Sequence, residues 1–452
     1  MKKTALVLSI LLISAAVSCE SKTVEPLPNH EISTEIQSKN TEIKEKTNIS
    51  IALVQSVDYH TIWQDVYPKL EKLNKQSNDY HIDVEVYDFD EGDILGDTSV
   101  QKLSMEILAG NVPDIISATP FQLDKFRKNG YLADISPIME KTGNIKRDDF
   151  LDNVINSVDE NGEIHIIYPA FTIYSAAAKT ELVGDNAENW TVQQAIDAYN
   201  SFDGDFLAQM YTKYDIRHYF FDGMLMNCVD FDNYTCNFND GLTTVMEFLT
   251  AIPPMEKRFG TVVGSTVDNT ALVKQIWIPG INSYYSNETL YNFKDEPISF
   301  VGYPTDNGKG TIVKIDTAFG ITSTGKHQEE VWDALSQLFF NSEIQKEISD
   351  RSHGIPVKKS VINELFDLSE NIENSINAPV TLPDGSEMKL SKEQNNQLKN
   401  FIENVKIEPF VNTYIEHIIK EESDYVFDGN RSIDECVNIL QNRFELYLSE
   451  KQ

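Results

Sequence analysis

Glu106-Ile-Leu-Ala-Gly110-Asn-Val-Pro113-Asp114-Ile-Ile-Ser-Ala-Thr119-Pro120 is the stretch on which the fold turns. Val100, Leu103 and Ile107 lead into it at helical spacing, and Gly110 stops that helix. Pro113 cannot continue a helix, so the chain passes into Asp114-Ile115-Ile116, a short apolar run that reads as a buried strand. Thr119 and Pro120 lie at its carboxyl end, and a further short helix runs on to Gly130. In open α/β sheets ligands bind outside the carboxyl ends of the strands. Thr119 and Phe121 therefore sit on a candidate binding rim.

Upstream, Ile49-Ser-Ile-Ala-Leu-Val54 predicts a strand, and Ile62, Val66, Leu70 and Leu73 predict a helix that Pro68 should kink or restart. Ile82-Asp-Val-Glu-Val-Tyr87 alternates strictly and predicts a second strand. Strand and helix alternate, which favours a mostly parallel sheet with helices on its faces. The loop Gln55-Ser-Val-Asp58-Tyr59 follows the first strand and joins the same rim. Beyond residue 170 the pattern is more helical, with helices near 191–201, 241–250, 327–340, 392–404 and 432–449. The last carries Val437, Leu440, Phe444 and Leu448 on one face. Val380-Thr-Leu-Pro-Asp-Gly385 reads as an exposed hairpin with Asp-Gly at its turn. No internal repeat is visible.

The chain has 452 residues, enough for two or three compact lobes. Lys and Arg total 38 against 71 Asp and Glu, a formal charge of -33. Phosphate contacts need clustered Lys and Arg, so a nucleic-acid partner is excluded, and so is flat docking on anionic lipid. The N-terminus reads Met1-Lys2-Lys3, then an apolar run from Ala5 to Ala16, then Val17-Ser18-Cys19. Two lysines before an apolar run too short for a comfortable span describe an export signal. Ala16, Ser18 and Cys19 resemble the lipobox of bacterial lipoproteins, with Ala16 where leucine is usual. That resemblance implies cleavage before Cys19, a diacylglycerol on its sulfur, and an extracytoplasmic protein held by lipid alone at roughly 0.8 kcal/mol per buried methylene. Residues 20–47 are polar, charged and without aromatics, and predict a disordered tether. Outside the cytosol Cys228 and Cys236 could form a disulfide; two free buried thiols are the other reading. No CxxC pair points to zinc.

Four segments in sequence order resemble the extracellular solute-binding proteins of ATP-driven importers, in the maltose-binding-like family 1. They are Glu106–Pro120; Phe126 with Gly130-Tyr-Leu-Ala-Asp134-Ile135; Phe319-Gly-Ile-Thr-Ser323 followed by Trp332, Gln345 and Gly354-Ile-Pro-Val357; and Gln441-Asn-Arg443 with Tyr447–Glu450. The resemblance covers nearly all of 48–452. It implies an α/β, two-lobed periplasmic-binding-protein-like clamp (type II), each lobe a mostly parallel sheet flanked by helices, with a hinge between lobes. The N-terminal lobe would comprise 48–168 plus 320–366 and the C-terminal lobe 169–319 plus 367–452. The chain would cross near Ile166–Pro169 and return near Phe319. Closure over a solute would create the form that a permease recognises.

Sugar clefts need flat apolar faces for the rings and carboxylates or amides for the hydroxyls. Gln55, Asp58 and Tyr59 offer these on one wall, with Thr119 and Phe121 beside them. A solvated loop, a helix cap and a core aromatic are the structural readings of the same residues. Across the cleft, Trp277, Tyr284 and Tyr285 lie in a Gly- and Pro-punctuated stretch, and the family often places an aromatic platform there. Tyr168, Phe171 and Tyr174 flank the first crossing, between hinge packing and ligand contact. Asp114 reads as a residue that ties down backbone, Trp190 and Trp332 as core, and Trp63 as core or cleft.

Catalytic motifs are absent: no HExxH, no GxSxG and no P-loop. Asp88–Asp93 has the look of a calcium loop, but its glycine is at position five and position twelve lacks glutamate. No metal or cofactor is expected. The reading is a non-enzymatic, monomeric, membrane-tethered receptor. It captures a solute, most readily an oligosaccharide, for the permease subunits of an importer. The tether and C-terminal helix favour a Gram-positive outer surface over a periplasm. An extracellular glycan-active enzyme and a ligand-sensing surface receptor are the alternatives.

Overall fold

The computed structural model describes residues 46–56, 62–89, 97–184, 187–203, 206–207, 212–231, 233–238, 241–252, 271–281, 296–308, 310–370, 380–381, 387–388, 392–409 and 416–449. Cys19 and almost all of the 20–47 tether lie outside this set, as do Asp58, Tyr59, Tyr284, Tyr285 and most of the Asp88–Asp93 loop. The described residues belong to one compact unit, Glu45–Gln452.

The strands are β1 (Thr47–Ser56), β2 (Tyr80–Phe89), β3 (Ile115–Ala118), β4 (Asp159–Glu160), β5 (Glu163–Ile164), β6 (Ala170–Lys179), β7 (Val229–Asp230), β8 (Thr235–Cys236), β9 (Val273–Ile278), β10 (Ile298–Ser299), β11 (Ile312–Lys314), β12 (Ala318–Ile321), β13 (Ile355–Pro356), β14 (Val380–Thr381) and β15 (Glu387–Met388). The first sheet has the order β12-β3-β1-β2. β1 runs parallel to β2 and β3, and β12 closes the edge antiparallel to β3. Helices α1 (Trp63–Gln76), α2 (Asp97–Leu108) and α3 (Pro120–Lys128) connect and follow these strands, the strand–helix alternation that the sequence predicts. Gly110 follows α2 at φ +95°, a left-handed conformation that favours glycine. Asp114 ties β3 to β1 by accepting from the Ser50 amide at 2.9 Å and the Ser50 hydroxyl at 2.8 Å.

The second sheet is built on β6, to which β9, β10, β11 and β13 are all antiparallel. The expectation of a mostly parallel sheet holds for the first sheet and not for this one. Although antiparallel neighbours need no crossover helix, the chain between β6 and its neighbour β9 runs through helices and the β7–β8 pair. The chain passes from the first sheet to the second between Ile167, which bridges Phe319, and β6. It returns between Lys314 of β11 and Ala318 of β12. β14 and β15 pair antiparallel where the hairpin is expected, and its Asp-Gly turn lies outside the described residues.

Two buried clusters divide the interior. One gathers Trp63, Phe126, Phe150, Trp332 and Phe339 around the first sheet. The other gathers Tyr219, Phe220, Phe221, Leu440 and Phe444. β6 feeds both, with Ile173 and Ala177 in the first and Ala176 and Ala178 in the second. This is the period-two alternation of a strand covered on both faces. Trp63 resolves as core, its indole N–H donating to the Ser117 hydroxyl at 3.1 Å. Trp190 and Trp332 are core as expected.

Two local expectations differ. α1 runs without a break through Pro68; Pro68 lies in the second turn on an exposed face of the helix, where its ring is open to solvent. The helix Lys213–Cys228 was not apparent in the sequence pattern. Its buried residues Ile216, Tyr219, Phe220, Phe221, Met224 and Leu225 occupy several faces, so no single apolar stripe marks it.

Candidate ligand-binding site

The segment on which the chain changes sheets frames a cavity of about 370 Å³. Its walls include Pro169, Thr172, Tyr174, Trp277, Lys314, Asp316 and His353. The placement follows from register. Tyr174 on β6 lies directly opposite Trp277 on β9, and Thr172 lies opposite Lys314 on β11. Thr172 and Tyr174 are two apart and share a face. Farther along β6 that face is covered by the second core through Ala176 and Ala178. Towards the crossing the cover ends and the aromatic residues meet the cavity.

Tyr174 and Trp277 stack with centroids 6.4 Å apart and planes 26° from parallel. Trp277 is 46% exposed, against 7% or less for Trp63, Trp190 and Trp332. Lys314 Nζ lies 5.5 Å from the Tyr174 ring centre, within cation–π range. Asp316 retains open surface yet is surrounded by protein, as a carboxylate in a cleft is, and that burial raises its pKa. Arg351, also on the lining, pairs with Asp65, whose other carboxylate oxygen lies 3.1 Å from His353 Nδ1. An aromatic platform beside a carboxylate and an ammonium can hold a polyhydroxylated ring by stacking and hydrogen bonds.

A second polar group lies within electrostatic range of Lys314. Lys420 Nζ is 3.3 Å from Asp222 Oδ1. Burial pushes the Asp222 carboxyl up to about 6, against the pull of Lys420. Burial also raises Glu416, which Lys314 and Lys420 oppose. His218 is pushed down to about 4, first by burial and then by the charges of Lys420 and Arg217. Because the folded His218 binds its proton less readily than the unfolded residue, the stability it contributes is present above about pH 6.5. It is lost as pH falls towards 4. Acid titration of melting temperature should therefore show a loss of roughly 1–2 kcal/mol over that window that His218→Gln removes, after allowance for solvent screening. Identical acid profiles for the two proteins would contradict it.

Among the residues named from sequence, Tyr174 and Trp277 come together on this cavity. Gln55 is half-buried at the end of β1, in register with Asp88. Thr119 caps α3, its hydroxyl accepting from the Gln122 amide at 3.3 Å. Phe121 meets Phe231 edge-on at 6.1 Å. Tyr168 is buried in the crossing, its hydroxyl 2.9 Å from that of Ser157. Asp58, Tyr59, Tyr284 and Tyr285 are outside the described residues. Cys228 and Cys236 are present as thiols, both pushed up by burial, to about 12 and about 11. Lys314, at the end of β11, and Asp316, just beyond it, also line the cavity; two charged residues two apart ahead of the return to the first sheet are the signal in the sequence that points to them. Among the described residues no group of three or more His, Cys, Asp or Glu is placed to hold a metal. No described helix is long and apolar enough to cross a membrane.

This is the fold of the two-lobed, maltose-binding-like α/β clamps. The extracellular solute-binding protein family 1 member of Alicyclobacillus acidocaldarius superposes with a TM-score of 0.55 at 15% identity, covering 90% of this chain and 99% of that one. The sugar-binding protein MalE of Xanthomonas citri gives 0.52 at 14% identity, over 90% and 98%. Maltose-bound MalE3 of T. maritima gives 0.51 at 13%, over 89% and 100%. These similar structures are binding proteins rather than enzymes. No family profile and no curated protein matches by sequence.

Proposed function

We propose that this chain is an extracytoplasmic solute receptor that captures an oligosaccharide between two lobes and passes it to the permease of an ATP-driven importer. The observation that carries the reading is the Tyr174–Trp277 stack, open to a cavity beside Asp316 and Lys314 where the chain changes sheets. In this reading residues 48–168 with 320–366 form one lobe and 169–319 with 367–452 the other, and solute binding draws them together. Gln55, Asp58, Tyr59, Thr119 and Phe121 line the first wall; Tyr284 and Tyr285 extend the second. Cys19 carries the lipid that holds the receptor, a monomer, beside its permease on the outer surface. Among the described residues the cavity carries both signs of charge, Lys314 and Arg351 with Asp316, which suits a neutral sugar.

The test is a thermal-shift panel of neutral oligosaccharides, uronic-acid oligomers, peptides and polyamines. A ligand at one hundred times its Kd stabilises the folded state by about 2.7 kcal/mol. Stabilisation by a neutral oligosaccharide without turnover supports the proposal. A panel in which no sugar stabilises, or in which the sugar is hydrolysed, overturns it.

A further inference from the structure

The hairpin β7–β8 belongs to the second core and reaches a helix of the first. Its root is fixed to the C-terminal helix Ile433–Ser449, where Gln441 donates to the Cys236 carbonyl at 3.0 Å and accepts from the Phe238 amide at 3.0 Å. Its tip is held by Asp230, which accepts from the Asn233 amide at 3.0 Å and from the Asn233 side chain at 2.8 Å. Tyr234, at that tip, adopts φ +54°, a left-handed conformation uncommon for a bulky residue. The ring so placed lies under Lys128 of α3, with Nζ 4.4 Å from its centre and donating to its hydroxyl. One turn of hairpin away, Phe231 meets Phe121 at the start of α3, with rings 81° apart. α3 is itself fixed to the first core by the Thr119–Gln122 capping box and by buried Leu123 and Phe126.

Beside this bridge, a cavity of about 600 Å³ separates Asn156 and Ser157 of the first-core helix Asp152–Val158 from the hairpin residues Val229, Phe231 and Asn233. Two rigidly mounted elements thus meet through side-chain tips across a gap, with no strand pairing between them among the described residues. Contacts of this kind part without unfolding either element. Tyr234 also packs against the second core, so its ring, held in a costly backbone conformation, ties that core to α3.

We infer that Phe231 and Tyr234 form a latch which, with Phe121 and Lys128, holds the two lobes together before any solute binds. The latch rests on the two-lobed receptor reading and sets how much of the empty protein is already closed. A receptor whose competent state is more populated binds its solute more tightly by the same factor.

Tyr234→Gly separates the latch from ordinary structural packing. Glycine removes the ring and also relieves the left-handed strain, offsetting part of the packing lost against the second core, so a residue with only a local role would leave the shape of the folded protein unchanged. Small-angle scattering of the empty variant should instead show a radius of gyration larger by about 1 Å, as expected when hinged lobes part. Phe231→Ala, with the melting temperature as a check on folding, should move the same way. An unchanged radius in both folded variants overturns the latch. The measurement needs no sugar, so its failure leaves the receptor reading standing, and failure of every sugar to bind leaves the latch standing.

Discussion

Trp277→Ala should weaken oligosaccharide binding by about 100-fold, or about 2.7 kcal/mol. Burying an aromatic face contributes roughly 1.5–3 kcal/mol, and geometric stacking adds roughly 0.5–1.5. Trp277 supplies such a face, stacked on Tyr174 and 46% exposed. The same exposure makes the folded state nearly indifferent to its loss, by roughly 1 kcal/mol or less. Isothermal titration with the sugar found in the thermal panel, together with a melting curve, separates the two effects. A Kd within threefold of the parent would remove Trp277 from the site.

Gln345→Leu should cost stability on the order of 3–5 kcal/mol. Gln345 is fully buried. Its amide donates to the carbonyls of Pro169 and Phe339, each at 2.8 Å, and accepts from the Val357 amide at 2.9 Å. One side chain therefore satisfies backbone groups on the outgoing crossing, on the turn ahead of its own helix, and on the segment after β13. Leucine fills similar space but leaves three buried backbone groups unpaired, each costing roughly 1–3 kcal/mol. Denaturant titration gives the value directly. A loss below about 1 kcal/mol would mean that water or a rearranged backbone replaces the amide.

The first sheet was legible because its signals are local. Gly110 and Pro113 punctuate it, Ile82–Tyr87 alternates, and the centre of β1, Ile49–Val54, is apolar except for Ser50. The second sheet was not, since β9, β10 and β11 are short and pair with β6 across long separations, and only three-dimensional register brings them together. The site divides in the same way. Trp277 and Tyr174 could be named because aromatic residues near a Gly-Pro turn and a crossing are visible in a string of letters. That they stand directly opposite each other could not be seen. Lys314 and Asp316 look like any alternating charged pair in a chain so rich in charge. Thr119 carries two meanings at once: the hydroxyl that would face a ligand is also the one that caps α3.

Gly354 has φ +140°, and a Cβ there would lie 2.6 Å from the Cβ of Ala170. Ala170 opens β6, the strand that feeds alternate side chains to both cores. The two interiors therefore share one backbone instead of being joined by a cord. Neither can melt far without withdrawing side chains from the other, so the two interiors are held to cooperative, all-or-none loss of structure.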